Sequence, residues 1–381
     1  MKAIVGGRIL LPEGEVSGKA LLFDEVIRGV VDEKDVHADE VIDAQGAYVA
    51  PGFVDVHIHG YQGEDASDAS QEGLRRMARA LLENGVTSFL PTTMTVDWAT
   101  LEACFQDIRD LMQESASADF DGAQILGCHA EGPFINPQRK GAQAAEAILP
   151  PDAAKVLPYR DVIRVMTYAP EMPGADAFAT SVTAQSDIRL SIGHTGATYD
   201  QAVHAVRMGA SRVTHTFNAM TGLHHRDPGV VGTALTEPVY CELIADTFHV
   251  HPGLYSMLHA TKGDQLVLIT DCTRAGGLAD GEYTLGGQPI FVKGIECRLQ
   301  DGTIAGSVLK MNDAVRNFRD HAGVTMAQAV RAASLNAAAS AGLAEHKGSL
   351  ENGKDADIVL MDDACRVQRT FVRGVCKWQQ K

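Results

Sequence analysis

Pro51-Gly52-Phe53-Val54-Asp55-Val56-His57-Ile58-His59-Gly60 opens on an apolar, strand-like run and closes on two histidines and a glycine. The pattern recurs. Counting Phe53–Gly60 as the first, eight short apolar stretches each close on polar or small residues; the others are Val86–Thr93, Gln124–Pro133, Ile163–Glu171, Ile188–Thr195, Ser211–Met220, Val239–Val250 and Leu266–Thr273. Helical periodicity falls between several of them, at Glu72–Asn84, Trp98–Glu114, Thr198–Met208 and Pro252–Thr261. Strand alternating with helix calls for a parallel sheet. Eight repeats in roughly 230 residues fit an α/β fold of the (β/α)8, TIM-like barrel type, typically about 250 residues, better than a doubly wound open sheet with a miscounted strand. A Gly-rich alternation over Glu282–Gly306 predicts an inserted hairpin before the last helices.

Outside this region the rhythm changes. Lys2–Leu10, Ala20–Val31 and Val41–Val49 read as short strands, as do Asp357–Met361 and Arg366–Trp378, with Gly374 at a turn. Such pieces at both ends of a chain can pair into one small sheet, because termini often lie close together. Over 381 residues, 45% are hydrophobic and 22% charged, which supplies a sizeable core and argues against wholesale disorder. A net charge of −16 repels phosphate backbones and anionic lipid, so neither nucleic acid nor membrane is expected as a partner. An anionic ligand would then need a local positive pocket. No apolar run is long enough to cross a bilayer, and the first residues lack a signal-peptide layout. Seven scattered cysteines without a CxxC pair read as reduced thiols, and the expected location is cytoplasmic.

In barrels of this type the reactive groups stand where strands end. Here those positions hold His57 and His59, Glu131, His194, His215 and Asp271. Residues i and i+2 share one face of a strand, so His57 and His59 point together. Each histidine alone is most simply a core or surface residue, and His129, His204, His259, His321 and His346 are read that way. Three imidazole sites and a carboxylate converging on one barrel mouth instead suit a divalent metal.

PGFVDVHIHG, HAEGPFINPQRKG, IGHT, THTFNAM, DPGVVG and ITDCTRAGG occur in order and resemble the amidohydrolase superfamily, more narrowly its N-acetylglucosamine-6-phosphate deacetylases. GSLENGKDADIVLMD, near the end, extends the likeness over nearly the whole chain. HxH alone is a weak signal; EGPF followed by KGA and then THxFNAM is specific. The resemblance implies a metal-dependent barrel over residues 51–344, flanked by a small β-sandwich from residues 1–50 plus 345–381. It implies hydrolysis of the N-acetyl group of N-acetyl-D-glucosamine 6-phosphate to D-glucosamine 6-phosphate and acetate. Glu131, His194 and His215 are carried over to the main metal site, and His57 and His59 permit a second ion bridged by Glu131. One or two divalent ions per subunit are therefore expected, zinc first, with iron, manganese or cobalt as alternatives. Relatives that bridge two metals with a modified lysine on the fourth strand are disfavoured, because that strand ends Tyr168-Ala169-Pro170-Glu171.

The resemblance casts Asp271 as catalytic acid–base, taking a proton from water and passing it to the departing amine. It nominates Ala142, Asn218, Ala219, Arg226 and His249, with the backbone of Ile304, Ala305 and Gly306, for the amino-sugar phosphate. Arg226 is expected to reach a neighbouring subunit's site, which implies a homodimer. Gln143 stands where the family usually has histidine, and Thr216 where an apolar residue is usual. An amide still donates a hydrogen bond but cannot become cationic, which leaves the sugar epimer and acyl group open. The competing readings are a deacetylase for a related sugar such as N-acetylgalactosamine 6-phosphate, and a non-catalytic barrel serving as a scaffold.

Overall fold

The computed structural model describes residues 1–381. Eight parallel strands follow one another around a barrel: β1 Phe53–Ile58, β2 Val86–Thr93, β3 Cys128–Glu131, β4 Ile163–Tyr168, β5 Arg189–Ile192, β6 Ala210–Val213, β7 Tyr240–Ile244 and β8 Leu266–Ile269. Each pairs with its successor in sequence. The seam is joined where β1 and β8 end. There the Asp271 N–H donates to the His57 carbonyl at 2.9 Å and the His59 N–H to the Cys272 carbonyl at 2.9 Å. Strands covered on both faces read as continuous apolar runs, and β1, β2 and β8 are buried at every position.

Helices pack outside: α1 Gln71–Leu81, α2 Trp98–Ser115, α3 Ala153–Val156, α4 Ala175–Gln185, α5 Tyr199–Arg207, α6 Gly229–Thr236, α7 Tyr255–Lys262 and α8 Met311–Ala322, followed by α9 Met326–Ala333 and α10 Leu335–Ser340. In α1 the buried Leu74, Met77, Ala78 and Leu81 fall at helical spacing, and the Ser70 hydroxyl caps the start by accepting from the Gly73 N–H. Thr198 and Gln201 form a reciprocal capping box that starts α5. Between β3 and β4 the only α-helical piece is the single turn α3, with three short 3-10 turns around it, and residues 132–152 form a long connection over the barrel mouth.

Three expectations need correction. The stretch Gln124–Pro133 is broken at Gly127 (φ 141°), so Gln124–Ile125 and β3 pair separately with β2. The inserted segment is a three-stranded antiparallel meander, β9 Gly281–Leu285, β10 Gln288–Lys293 and β11 Glu296–Leu299, rather than a hairpin. At the N-terminus the long strands divide. Lys2–Leu10 breaks at Gly6 (φ 66°), sending Lys2–Val5 into a four-stranded sheet and Arg8–Leu11 into a six-stranded one. Ala20–Val31 likewise folds back on itself, and Val41–Val49 divides between the two sheets.

These two sheets, built from both termini, face each other across a shared core. Ile4, Leu21 and Phe23 meet Ile9, Val49, Ile358 and Phe371, with the Phe23 and Phe371 rings edge to face at 5.9 Å. No helix is long and apolar enough to cross a membrane.

Lys347 fastens the return from the helices to the C-terminal strands. Its ammonium lies 2.8 Å from both Asp355 and Asp357, at 3% side-chain exposure. Burial alone would lower its pKa, but the two carboxylates raise it. The stabilisation is therefore complete below the ordinary lysine value of 10.5 and is lost as pH climbs through the raised one. Lys347→Met strands two carboxylates and should cost about 3–5 kcal/mol, read as a lower denaturant midpoint at neutral pH. A shift under 1 kcal/mol would contradict this role.

Candidate active site

Glu131, the last residue of β3, occupies the centre of the barrel mouth. Its Oε1 lies 3.0 Å from His215 Nε2, 3.3 Å from His194 Nε2 and 3.4 Å from His57 Nε2. Its Oε2 lies 3.3 Å from His59 Nε2. Asp271 Oδ1 closes the other side, 3.1 Å from His59 Nε2 and 3.4 Å from His57 Nε2. All six side chains are buried. They form two groups able to hold a metal ion, Glu131/His194/His215 and His57/His59/Asp271.

The backbone sets these positions. His194, His215 and Asp271 each stand two residues past the end of β5, β6 and β8, and each adopts a left-handed conformation, with φ of 47°, 28° and 50°. Such residues cost about 1–3 kcal/mol apiece and persist where the surroundings over-determine them. Here the surroundings include the Asp271 bond across the barrel seam and the Thr214 N–H to the Ile192 carbonyl.

Three of the four imidazoles are held in turn by their outward ring nitrogens, whereas His215 Nδ1 is buried without a partner. His59 Nδ1 donates to the Thr92 carbonyl at 3.0 Å and His194 Nδ1 to the Arg139 carbonyl at 2.9 Å. His57 Nδ1 donates to Glu242 Oε2 at 2.8 Å, and the same oxygen accepts the backbone N–H of His215 at 3.0 Å. Arg212 pairs with the other Glu242 oxygen and also reaches the Ser340 hydroxyl. Arg212 and Glu242 are completely buried beneath the mouth. His129 fills the core beside them, donating to the Val56 carbonyl and accepting from the Thr167 hydroxyl. Burial, reinforced by His57, lowers its pKa to about 3 and keeps it neutral.

A cation fits this donor set. Ligand atoms held about 2.1 Å from a tetrahedral ion lie about 3.4 Å from one another, close to the separations above. His57 Nε2 is buried and has no hydrogen-bond partner. Carboxylates and histidines otherwise share protons. Burial pushes the His57 and His59 imidazoles down and the Glu131 and Asp271 carboxylates up, yet each of these four is overridden by its neighbours. Asp271 and Glu131 raise His59 to about 10, while His57 and His194 hold Glu131 well below the usual carboxylate range.

The mouth opens into a cavity of about 370 Å³ lined by His59, Glu131, His194, His215 and Asp271 at its base. Ala142, Gln143, Asn218, Ala219, His249, Ile304 and Gly306 form its walls, together with Met94, Gln138, Arg139, Gly141, Leu285 and Thr303. His249 is fixed by its Nδ1 bond to Asp246 at 2.6 Å. Two nominated residues do not border the cavity within one chain: Ala305 is fully buried in the meander's core, and Arg226 lies on the exposed loop 222–227. The sequence reading passed over Arg139, the lone Lys or Arg on the cavity wall. Its only signal was its place in the NPQRKG motif.

A family model described as the amidohydrolase family matches residues 48–376. The chain is 40% identical over 349 residues to N-acetylglucosamine-6-phosphate deacetylase of Lysinibacillus sphaericus, covering 89% of this chain and 88% of that protein. It is 36% identical over 372 residues to N-acetylgalactosamine-6-phosphate deacetylase of Escherichia coli, covering 96% and 97%. Its fold superposes on the crystal structure of N-acetylglucosamine-6-phosphate deacetylase from Pasteurella multocida with a TM-score of 0.93 at 29% identity over the full length of both chains.

Removing the charge of Glu242 tests the buried support. Glu242→Gln leaves Arg212 without its counter-charge, at about 3–5 kcal/mol of unfolding free energy. It also deprives His57 of its strong acceptor, so retention of a bound divalent ion should weaken by about 10–100-fold, measured by chelator competition. Unaltered retention would assign Glu242 to stability alone.

Proposed function

The chain belongs to the amidohydrolase family, and from that premise we propose that it hydrolyses the N-acetyl group of N-acetyl-D-glucosamine 6-phosphate, releasing acetate and D-glucosamine 6-phosphate. The carrying observation is the convergence of four imidazoles and two carboxylates at the floor of a cavity of sugar-phosphate size. Glu131, His194 and His215 would hold one divalent ion, and His57 and His59, sharing Glu131, a second; zinc is the first choice for such donors. A bound ion of this kind lowers the pKa of water and polarises an amide carbonyl.

The remaining chemistry belongs to the side chains. Burial would raise the pKa of Asp271, but His57 and His59 keep it below the ordinary carboxylate value. It is therefore ionised at neutral pH and takes a proton from the attacking water. The water oxygen bonds to the acetyl carbon, the carbon–nitrogen bond breaks, and the same proton leaves on the amine. Asp271 ends deprotonated, as it began.

The phosphate would meet Arg139 and His249 of the same chain. Arg226, on the same exposed loop as Leu223, which is itself 56% exposed, would then serve the neighbouring site of a homodimer. Guanidinium groups suit phosphate because they donate two bonds in one plane. We locate the activity in the cytoplasm, in keeping with seven free cysteines, six of them buried. Likeness to the N-acetylgalactosamine 6-phosphate enzyme keeps the other epimer as the second reading.

Asp271→Asn should retain the ion held by Glu131, His194 and His215 while turnover falls by about 10²–10⁴-fold, followed by acetate release and metal analysis. Comparing the two phosphorylated epimers with unphosphorylated N-acetylglucosamine decides the substrate, and equal rates on the unphosphorylated sugar would sink the phosphate reading. Arg139→Ala and Arg226→Ala should each raise KM for the phosphorylated sugar about tenfold with kcat little changed. At substrate concentrations well below the parental KM, mixing Arg226→Ala chains with Asp271→Asn chains should raise the rate above that of either alone only if the arginine crosses between subunits.

A further inference from the structure

Gln143 is buried against Glu131 with both ends of its amide engaged. Its Nε2 donates to Glu131 Oε2 at 2.6 Å, and its Oε1 accepts the Thr95 backbone N–H at 2.6 Å. The orientation is not free. A backbone N–H can only donate, so the amide oxygen must face Thr95 and the amide nitrogen must face the carboxylate. The terminal torsion of a glutamate is broad and easily turned, so its plane is set by what its oxygens bind. In this plane Oε1 serves His194 and His215 and lies 3.4 Å from His57, while Oε2 serves His59. A turn about that torsion would carry Oε2 away from His59 and so take from the His57/His59 side its share of the carboxylate.

We propose that Gln143 is a positioning residue that holds Glu131 across the two ligand groups, and so sets whether the His57/His59 side binds an ion. The inference rests on the reading that both groups hold one. Its neutral amide satisfies one lone pair of Oε2 without competing as a charge and leaves the other for the cation. Three further observations fit. Gln143 is 2% exposed, so water does not substitute for it. Lys140 ties down its segment by donating to the Gly141 and Gln143 carbonyls. The meander adds a third tie, Gln288 Nε2 donating to the Ala142 carbonyl at 2.7 Å.

The test is a zinc titration of the metal-free full-length chain, against a competing chelator, for the parent and for Gln143→Met, which keeps length but neither donates nor accepts. The parent should take up two ions. The variant should bind the first as the parent does and the second at least about tenfold more weakly, the scale on which outer partners act on metal ligands. Unchanged affinity for both ions overturns the role of Gln143 and leaves the two-ion reading standing. A parent that takes up one ion overturns both. Equal weakening of both ions in a folded variant overturns the bridging role. Where Gln143→Met fails to fold, Gln143→Asn replaces it, because the shorter amide cannot span from the Thr95 N–H to Glu131 and adds no charge or cation ligand of its own. Selective weakening of the second ion in that variant supports the proposal, and parental affinity refutes it.

Discussion

A single carboxylate, that of Glu131, sits out of water among the imidazoles of His57, His59, His194 and His215. Burying such a charge alone would cost several kcal/mol, and it is tolerated because positive or metal-ligating groups surround it. The rest of the mouth is arranged to keep that surround in place. In the absence of a cation, protons on the histidines provide the balancing charge, as the raised pKa of His57 and His59 indicates. Taking up an ion therefore means giving up protons, and the same geometry serves both conditions.

The barrel and the site are one construction. The bonds that join β8 to β1 run through Asp271 and His57 and through Cys272 and His59. Barrel closure thus fixes the acid–base candidate relative to the histidine pair to within a hydrogen-bond length. Below them the Arg212–Glu242 pair links β6 and β7 to the His57 ring and, through Ser340, to α10. Reactive groups on different strands are held by a common buried network instead of by their own loops.

Much of this was legible in the amino-acid order because parallel strands buried on both faces leave uninterrupted apolar runs. The tips of those runs are the mouth of the barrel, so His57, His59, Glu131, His194, His215 and Asp271 could be placed together before any coordinates. Other features leave no such trace. Glu242 interrupts the apolar Cys241–Ile244 run, and a charge in a strand reads as facing solvent unless its partner, Arg212 on the adjacent strand, is known. Lys2–Leu10 looks like one strand because one glycine hinge does not disturb the hydrophobic pattern, although it sends the halves into different sheets. The engagement of Gln143 depends on Thr95, almost fifty positions away, which no local pattern connects.

The posts that carry His194, His215 and Asp271 have a consequence for which substitutions the molecule can accept. Histidine, aspartate and asparagine are the non-glycine residues that most readily adopt left-handed backbone. Two of these are also good cation ligands or proton carriers. Conformation and reactivity thus select from nearly the same short alphabet at each post. A β-branched or bulky replacement fails there on backbone grounds before its chemistry is ever tried, and glycine would fit the turn but bring nothing to the centre.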